Sequence, residues 1–380
     1  MRILVDYRPA LRHRSGVGEY AHELIKALLA AFPPESTDDP LEVTLFSSSW
    51  KHRLQQHGDD LAAAARVDRR VPVKVLNFAW HRLEWPTAER LTGRAFDVTH
   101  SFHPLILPSL RAAHVITIHD LDFLTHPERT RAEIRRDYPA LVRSHAHRAD
   151  RIVVNSHFTA GEVERRLEVD ADKITVCVPG APNWRPRPAP PADNAYVLFI
   201  GTLEPRKNVG TLLDAYEALV TRRRDLPSLV LAGRETSDAR PWLERIARPP
   251  LNRFVRHVGY IDPDKRRTLY EGARLLVQPS FDEGFGMPVL EAMTLGVPVV
   301  AANRGALPEV LGDAGPLIDP ESSEELASAI ERLIDDEALW AASAAKGSLR
   351  AHHFRWDESA RHLEEAYRLA VQHRDERRPA

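Results

Sequence analysis

Apolar residues in this chain fall into short uninterrupted runs, separated by longer stretches in which they recur at helical spacing. A short run of Val, Ile and Leu bounded by turn residues reads as a strand buried on both faces. In the first half, such runs predict strands at residues 3–5, 43–46, 71–75, 98–101, 115–118, 151–154 and 174–176. Helical periodicity predicts helices at 17–31, 131–149 and 159–167. A second series begins at Tyr196 and predicts strands at 196–201, 229–232, 254–258, 275–278 and 298–301. Strands alternating with helices predict parallel sheets and an α/β fold.

Between the two series, residues 179–193 carry Pro179, Pro182, Pro186, Pro188, Pro190 and Pro191. That density is linker chemistry, since proline cannot join a sheet interior. The expected organisation is therefore a first domain over 1–180, a linker over 181–194 and a second domain over 195–356. In the tail, Leu326, Ile330, Leu333 and Ile334 mark one face of a helix over 321–334. Leu363, Ala366, Tyr367 and Ala370 mark another from about Asp357.

Composition narrows the classes. A chain of 380 residues has room for two cores. Its 43 % hydrophobic and 28 % charged content is that of an ordinary water-facing protein. The net charge of −2 leaves no global basic field, so nucleic acid is not an expected partner. Cys177 is the only cysteine, which excludes an internal disulfide and suits a reducing cytoplasm. Its neighbours Val176 and Val178 predict a buried strand residue. The chain opens directly on a strand, with no signal peptide expected, and no apolar run approaches the roughly 18 residues of a membrane span. Any membrane contact would be peripheral.

Chemistry concentrates in four places. The first is Asp282-Glu283-Gly284-Phe285-Gly286-Met287-Pro288-Val289-Leu290-Glu291-Ala292. A buried run ends just upstream, and Pro288 suits a first helical position, so Glu283 should sit at a strand's C-terminal end and Glu291 in the helix. Two glycines let a ligand approach free helix N-terminal amides. Amides suit phosphate and carboxylates suit vicinal hydroxyls, so a nucleotide sugar is the candidate ligand.

The second place is the loop Gly201-Thr202-Leu203-Glu204-Pro205-Arg206-Lys207-Asn208, where adjacent cations can neutralise a diphosphate. Lysine is scarce here, seven against forty-five arginines, which makes Lys207 more telling. The third is Arg14-Ser15-Gly16-Val17-Gly18-Glu19-Tyr20-Ala21. Gly16-x-Gly18-x-x-Ala21 matches a dinucleotide fingerprint, but nine residues separate it from the first strand and no acidic residue ends the second. A phosphate-facing loop fits better than a nicotinamide site. The fourth is His119-Asp120, ending the strand at 115–118. His100 and His103 are weaker candidates, and Arg253, Arg256, Arg266 and Arg267 read as solvated surface.

Taken together, and in their sequence order along nearly the whole chain, these strings resemble the retaining GT-B glycosyltransferases of family four. The Glu283–Glu291 string is the most specific element, the Arg206-Lys207 loop the next. The resemblance implies two Rossmann-like domains facing each other across a cleft, with a last helix, 357–375, crossing back onto the first domain. It implies hinge closure that excludes water. It implies His119, Arg206, Lys207 and Glu283 as catalytic residues. Donor contacts would come from Gly16, Gly18, Asp120, Gly201, Tyr260, Gly284, Phe285, Gly286, Met287, Pro288, Val289 and Glu291. In that scheme His119 contacts sugar hydroxyls, Glu283 holds the sugar, Glu291 holds the ribose diol, and the nucleobase lies near Gly259-Tyr260-Ile261. Some members carry an arginine where this chain has Thr202, so no contact is expected there. Asn155-Ser156-His157-Phe158 resembles an architectural segment that caps a helix.

No metal is implied. Of the strings Asp120-x-Asp122, Asp170-x-Asp172 and Asp262-x-Asp264, only the first falls at the presumed cleft. No convincing covalent nucleophile stands out, and the resemblance implies a front-face route in which the leaving phosphate accepts the acceptor's proton. The expected activity is transfer of a hexose from a nucleoside-diphosphate sugar to a glycan or lipid-linked acceptor in polysaccharide or glycoconjugate biosynthesis. A mannose-type sugar from GDP-mannose is preferred. A UDP-sugar donor, a GT-B nucleotide-sugar epimerase and a non-catalytic nucleotide-sugar-binding partner remain alternatives; a pyridoxal-dependent phosphorylase lacks a suitably placed Schiff-base lysine. Trp80 and Trp85 are candidates to line an acceptor groove.

Overall fold

The computed structural model describes residues 1–11, 16–33, 40–50, 53–54, 59–127, 132–187, 191 and 195–377. Arg14 and Ser15 of the glycine loop, and Pro188 and Pro190 of the proline-dense stretch, lie outside the described residues. The chain divides into one unit of Met1–Gly180 with Arg355–Ala380, and another of Ala181–Phe354.

The first unit holds β1 (Arg2–Asp6), β2 (Glu42–Ser48), β3 (Ala65–Arg69), β4 (Val98–Ser101), β5 (Ala113–Ile118), β6 (Arg151–Val154) and β7 (Ile174–Val176). They pair in parallel in the order β3-β2-β1-β4-β5-β6-β7. The second unit holds β8 (Tyr196–Ile200), β9 (Leu229–Ala232), β10 (Val255–His257), β11 (Ala273–Gln278), β12 (Val299–Ala302) and β13 (Leu317–Ile318). Their order is β10-β9-β8-β11-β12-β13, again parallel. In each sheet the winding reverses once, between β1 and β4 and between β8 and β11. Ligands of open parallel sheets bind beyond the strand ends at such reversals, because the two flanking loops part there.

One strand assignment fails. The alternation of Val71, Val73 and Val75 suggests a strand, but these residues enter a helix, Val73–Leu83. Leu76 and Trp80, one turn apart, are its buried residues, and Pro72 stands at its N-cap. The strand of this region is β3, a polar edge strand (sequence ARVDR) with little apolar signal. Among the further elements that escape the pattern are β13, only two residues long, and the helix Glu337–Ala351, alanine-rich and capped by Asp336 accepting from the Leu339 amide. The proline-dense stretch is also more committed than a free linker. Arg187 donates to the carbonyls of Ala273 (2.7 Å) and Gly296 (3.1 Å) and lies over the Trp340 ring, all within the second unit.

The last helix, Trp356–Glu376, belongs to the first unit. Ala360, Leu363, Ala366, Tyr367 and Ala370 share one core with Ile3, Val5, Leu24 and Ile25. Its Tyr367 hydroxyl bonds His100 Nδ1 at 2.7 Å, and His100 Nε2 meets Thr117 Oγ1 at 2.8 Å. His100 is thus a structural residue. Cys177 is fully buried just after β7, and burial pushes its thiol well up, so it stays protonated and inert.

Burial pushes the His100 imidazole down to about 3, with neighbouring His119 adding to the shift and Asp6 opposing it. The folded chain therefore resists protonation that the unfolded chain accepts near pH 6.5. Stability should be full above that pH and fall as the solution is acidified toward 3. From this residue alone the loss at pH 5 should be about 2 kcal/mol. Urea unfolding at pH 7.5 and pH 5 checks this, and His100→Gln should flatten the difference.

Candidate active site

In the second unit, β8 and β11 run into the two loops that carry most of the candidate residues. After β8 the chain forms a short turn, Pro205–Lys207, and reverses at Asn208, whose φ of +57° suits asparagine. The Asn208 amide then donates to the carbonyls of Pro279 (3.0 Å) and Pro320 (2.7 Å), tying the two loops together. A backbone bond from Phe281 N to Arg206 O (2.9 Å) adds a second tie. Arg206 and Lys207 are thereby brought to the end of β11.

Glu283 sits between them, only 6 % exposed. Its Oε1 accepts three bonds, from Lys207 Nζ (2.6 Å), Gln278 Nε2 (2.8 Å) and Ser280 Oγ (2.8 Å). Arg206 Nη1 lies 3.6 Å from Oε2. Burial alone would raise this carboxyl. The charges of Lys207 and Arg206 and the bonds from Lys207 and Ser280 outweigh it and hold the group down at about 2. Its backbone is locked too, since Ala306 N donates to Glu283 O at 2.9 Å. A side chain at Gly305, whose φ is +61°, would come within 2.7 Å of the Glu283 backbone.

Beyond Glu283 the chain turns through Gly284 and Gly286 into the helix Met287–Thr294. Gly286 adopts φ +107° at the N-cap and supplies no side-chain cap. A helix start of this kind favours an anion. Phe285 and Val289 are core side chains, the former edge-on to Phe354 at 5.8 Å, so neither offers its side chain to a ligand. Val289 N is also spent on Gly286 O (2.9 Å). Pro288 occupies the first turn and lacks an amide proton.

Glu291 is 2 % exposed and already engaged: Tyr270 donates to it at 2.8 Å, and Arg266 Nη2 lies 3.1 Å away. Arg266 is therefore not the solvated surface residue expected from sequence; its register on the helix Pro263–Glu271 turns it inward onto an acid. Tyr260 lies in the loop after β10, with the Arg234 guanidinium 4.7 Å above its ring. Gly201 closes β8, its amide bonded to Ala232 O, and the Lys207 side chain passes beside it.

In the first unit, Gly16 is the N-cap of the helix Val17–Ala31, with φ +54° and no side-chain cap, and Gly18 is buried in its first turn. Tyr20 of that turn meets the His119 ring edge-on at 5.3 Å, so the glycine loop and the end of β5 adjoin. His119 Nε2 faces Phe102 O at 3.3 Å; a carbonyl only accepts, which assigns the proton to Nε2. Burial, reinforced by His103 and opposed by Asp120, lowers this imidazole to about 4, so it is neutral at neutral pH. Asp120 follows it, its carboxylate accepting from Asp122 N at 3.3 Å. Ser156 caps its helix as expected, accepting from Thr159 N.

A cavity of about 140 Å³ lies beyond β1 and β4, at the reversal of the first sheet. Asp6 ends β1, and Arg8 grips it through Nε (2.8 Å) and Nη2 (2.6 Å). Burial would raise Asp6, but the Arg8 charge and bonds keep it below the usual range. Arg8 also donates to Asn77 (2.8 Å) and lies over Trp80 at 4.6 Å. Arg8, Asn77, Trp80, His81, His103 and Tyr138 line the cavity. Trp80 is thus buried at the wall of this cavity, whereas Trp85 faces solvent. Sequence reading passed over Asp6, Arg8 and Asn77, although a charged pair ending an apolar strand was a visible signal. It also passed over Gln278, the one polar residue closing a run of Leu and Val.

Two parallel sheets, each with candidate loops at its winding reversal, define the two Rossmann-like domains of a GT-B glycosyltransferase. A model of the Glycosyltransferase Family 4 matches residues 14–182, and one of Glycosyl transferases group 1 matches residues 181–349. O-antigen chain mannosyltransferase B of Escherichia coli is 30 % identical over 97 % of this chain and 100 % of its own. By structure, sucrose-phosphate synthase of Thermosynechococcus elongatus aligns with a TM-score of 0.76 at 20 % identity, over 97 % of this chain and 98 % of that one. Anabaena HepE, solved with UDP and glucose, aligns at 0.68 and 18 % identity, over 96 % and 98 %. The chain belongs to the glycosyl transferases group 1 family and is a glycosyltransferase.

The Lys207–Glu283 pair makes a stability prediction. Removing the ammonium by Lys207→Met leaves a buried carboxylate without its main partner, which should cost about 3–5 kcal/mol at neutral pH. The Glu283 carboxyl should then titrate upward, so the cost should shrink as the pH falls below 5. Glu283→Gln added to Lys207→Met should recover most of the loss. Urea titrations of the three variants at pH 7 and pH 4.5 read this directly.

Proposed function

We propose that the enzyme transfers a mannose-type hexose from GDP-mannose, with retention at the anomeric carbon, to a glycan or lipid-linked acceptor. The observation that carries the reading is Glu283, held ionised at the reversal of the second sheet with Lys207 and Arg206 beside it and a helix N-terminus next in the chain. Departure of the nucleoside diphosphate is the hard step, because negative charge collects on its oxygens. Arg206, less buried than Lys207 and within reach of two partners, is the cation that turns toward the diphosphate, while the Met287 and Gly16 regions supply amides. Such preorganised charge costs no rearrangement during the reaction.

In this reading Glu283 accepts bonds from the sugar hydroxyls, and Glu291, oriented by Tyr270 and Arg266, accepts them from the ribose diol. His119, neutral and with its proton on Nε2, acts on sugar hydroxyls as a hydrogen-bonding group rather than as a cation. The departing phosphate takes the acceptor's proton, so no protein nucleophile is needed. Cationic side chains do the charge-neutralising work of a metal, and we propose none. The mannose assignment is supported by the full-length likeness to an O-antigen mannosyltransferase. The acceptor's sugar would occupy the cavity at Arg8, Asn77 and His81. Asp6 neutralises Arg8 there and burial holds His81 near 4, so the lining is uncharged overall and suits hydroxyls.

A thermal-shift panel of GDP-, UDP-, ADP- and dTDP-sugars should give its largest stabilisation with GDP-mannose; a larger shift with another nucleotide would remove the donor assignment. Glu283→Ala should reduce transfer by about 100-fold or more while the chain stays folded. Wild-type turnover should be unchanged in excess EDTA. Near-normal transfer by Glu283→Ala would refute its role.

A further inference from the structure

We propose that Asp6 makes the cavity beyond β1 and β4 selective for an uncharged sugar unit, by occupying the Arg8 guanidinium that a phosphate or carboxylate on the acceptor would need. The inference rests on the reading of this cavity as the acceptor's place, and it adds which acceptors the cavity refuses.

Among the described residues that line the cavity, Arg8 is the only lasting cation. A free guanidinium there would be a strong anion site, because its planar fork matches two oxygens of a phosphate or carboxylate. Here the fork is filled. Asp6, 1 % exposed at the end of β1, accepts from Arg8 Nε at 2.8 Å and from Nη2 at 2.6 Å. Its Oδ1 also accepts from the Arg8 amide at 3.2 Å. The pair is local: β1 ends at Asp6, and the turn Arg8–Ala10 brings the guanidinium back to it. Nη1 is engaged with Asn77 Oδ1 at 2.8 Å, and the Trp80 ring covers one face at 4.6 Å. The Arg8 side chain is left only 10 % exposed.

The remaining polar groups are neutral. A guanidinium only donates, so Asn77 turns its oxygen to Arg8 and keeps its Nδ2 hydrogens for a ligand. His81 is lowered to about 4 by burial and by the Arg8 and His103 charges. His103 is lowered as well, desolvation and the Arg8 charge outweighing Asp6. Tyr138 is raised by desolvation and keeps its proton. Neutral imidazole and phenol both donate and accept, which is what sugar hydroxyls require. An anion has two ways in, and both are unfavourable. It can shed its hydration without meeting an unbalanced cation, or it can displace Asp6 and leave a buried carboxylate unpaired. A neutral sugar meets neither penalty, so the rejection is built into the lining. The reaction that supplies the acceptor is then of a class that leaves a neutral sugar at its exposed end.

The Trp80 indole N–H, which donates to Pro86 O at 2.9 Å, reports on this cavity in a nitrogen–proton correlation spectrum of the full chain. It is one of seven such signals, and its loss in Trp80→Phe assigns it. Because this readout is local, binding elsewhere in the chain does not enter it. At pH 7.5 methyl α-mannoside should shift the signal saturably, and mannose 6-phosphate should bind at least about tenfold more weakly. Asp6→Asn frees Arg8 and should reverse the order, making mannose 6-phosphate the tighter probe by about tenfold. Asp6→Asn/Arg8→Gln, neutral again, should lose that gain. Asn77→Lys adds an unbalanced cation without breaking the buried pair, and it should acquire affinity for mannose 6-phosphate too.

Equal wild-type responses to the two probes overturn the inference and leave the acceptor reading standing. Silence of the Trp80 signal toward both probes removes the acceptor reading, and the inference with it. Wild-type selectivity that persists in a folded Asp6→Asn overturns the assignment to Asp6. Failure of Asn77→Lys to bind the phosphorylated probe overturns the charge argument, whether or not Asp6→Asn folds.

Discussion

A carboxylate buried beside a lysine at a strand end constrains the second unit more than any other contact. Glu283 could not remain ionised at 6 % exposure without Lys207 and Arg206, and those cations could not gather there without an acid between them. The pair in turn depends on architecture. Asn208 must reverse the chain and bridge to Pro279 and Pro320, and the loop bearing Gly305 must pass close against the Glu283 backbone. Gln278 and Ser280 complete the arrangement by occupying the same oxygen as the ammonium. A group this heavily bonded pays for its rigidity in stability if any partner is lost, and gains from it a fixed orientation toward a ligand.

Each sheet solves the same problem with different chemistry. The reversal between β8 and β11 is ringed by cations and an uncapped helix start, an environment that favours anions. The reversal between β1 and β4 carries Asp6 and Arg8, which cancel each other, and histidines kept neutral by burial. That is an environment for hydroxyls. The division of labour between a charged and an uncharged pocket follows from the loops alone, because the strands behind them are equally apolar in both units.

The helix Val73–Leu83 shows how one short element serves two purposes. Leu76 packs into the apolar core of the first unit, while Asn77, Trp80 and His81 line a polar cavity. It is also the element that sequence periodicity misread. Alternating valines imitate a strand, and only the contacts of Leu76 and Trp80 reveal the helical turn.

By itself, the sequence determined the parallel α/β class, most strand positions and the capping role of Ser156, and it placed a basic loop and an acidic loop at strand ends of the second unit; that the two loops pair through Lys207 and Glu283 came from the tertiary structure. The properties read from the sequence are local: apolar runs, turn residues and cap chemistry are written in neighbouring positions. Polar edge strands such as β3, the two-residue β13 and the alanine-rich helix Glu337–Ala351 carry too little local contrast to be read. Tertiary structure alone decided that Arg266 and Tyr270 embrace Glu291, that Arg8 closes on Asp6 and Trp80, and that Tyr20 reaches His119. Each of these depends on which face of an element meets another, a choice made by packing between residues far apart in the chain, and no spacing along the chain encodes it.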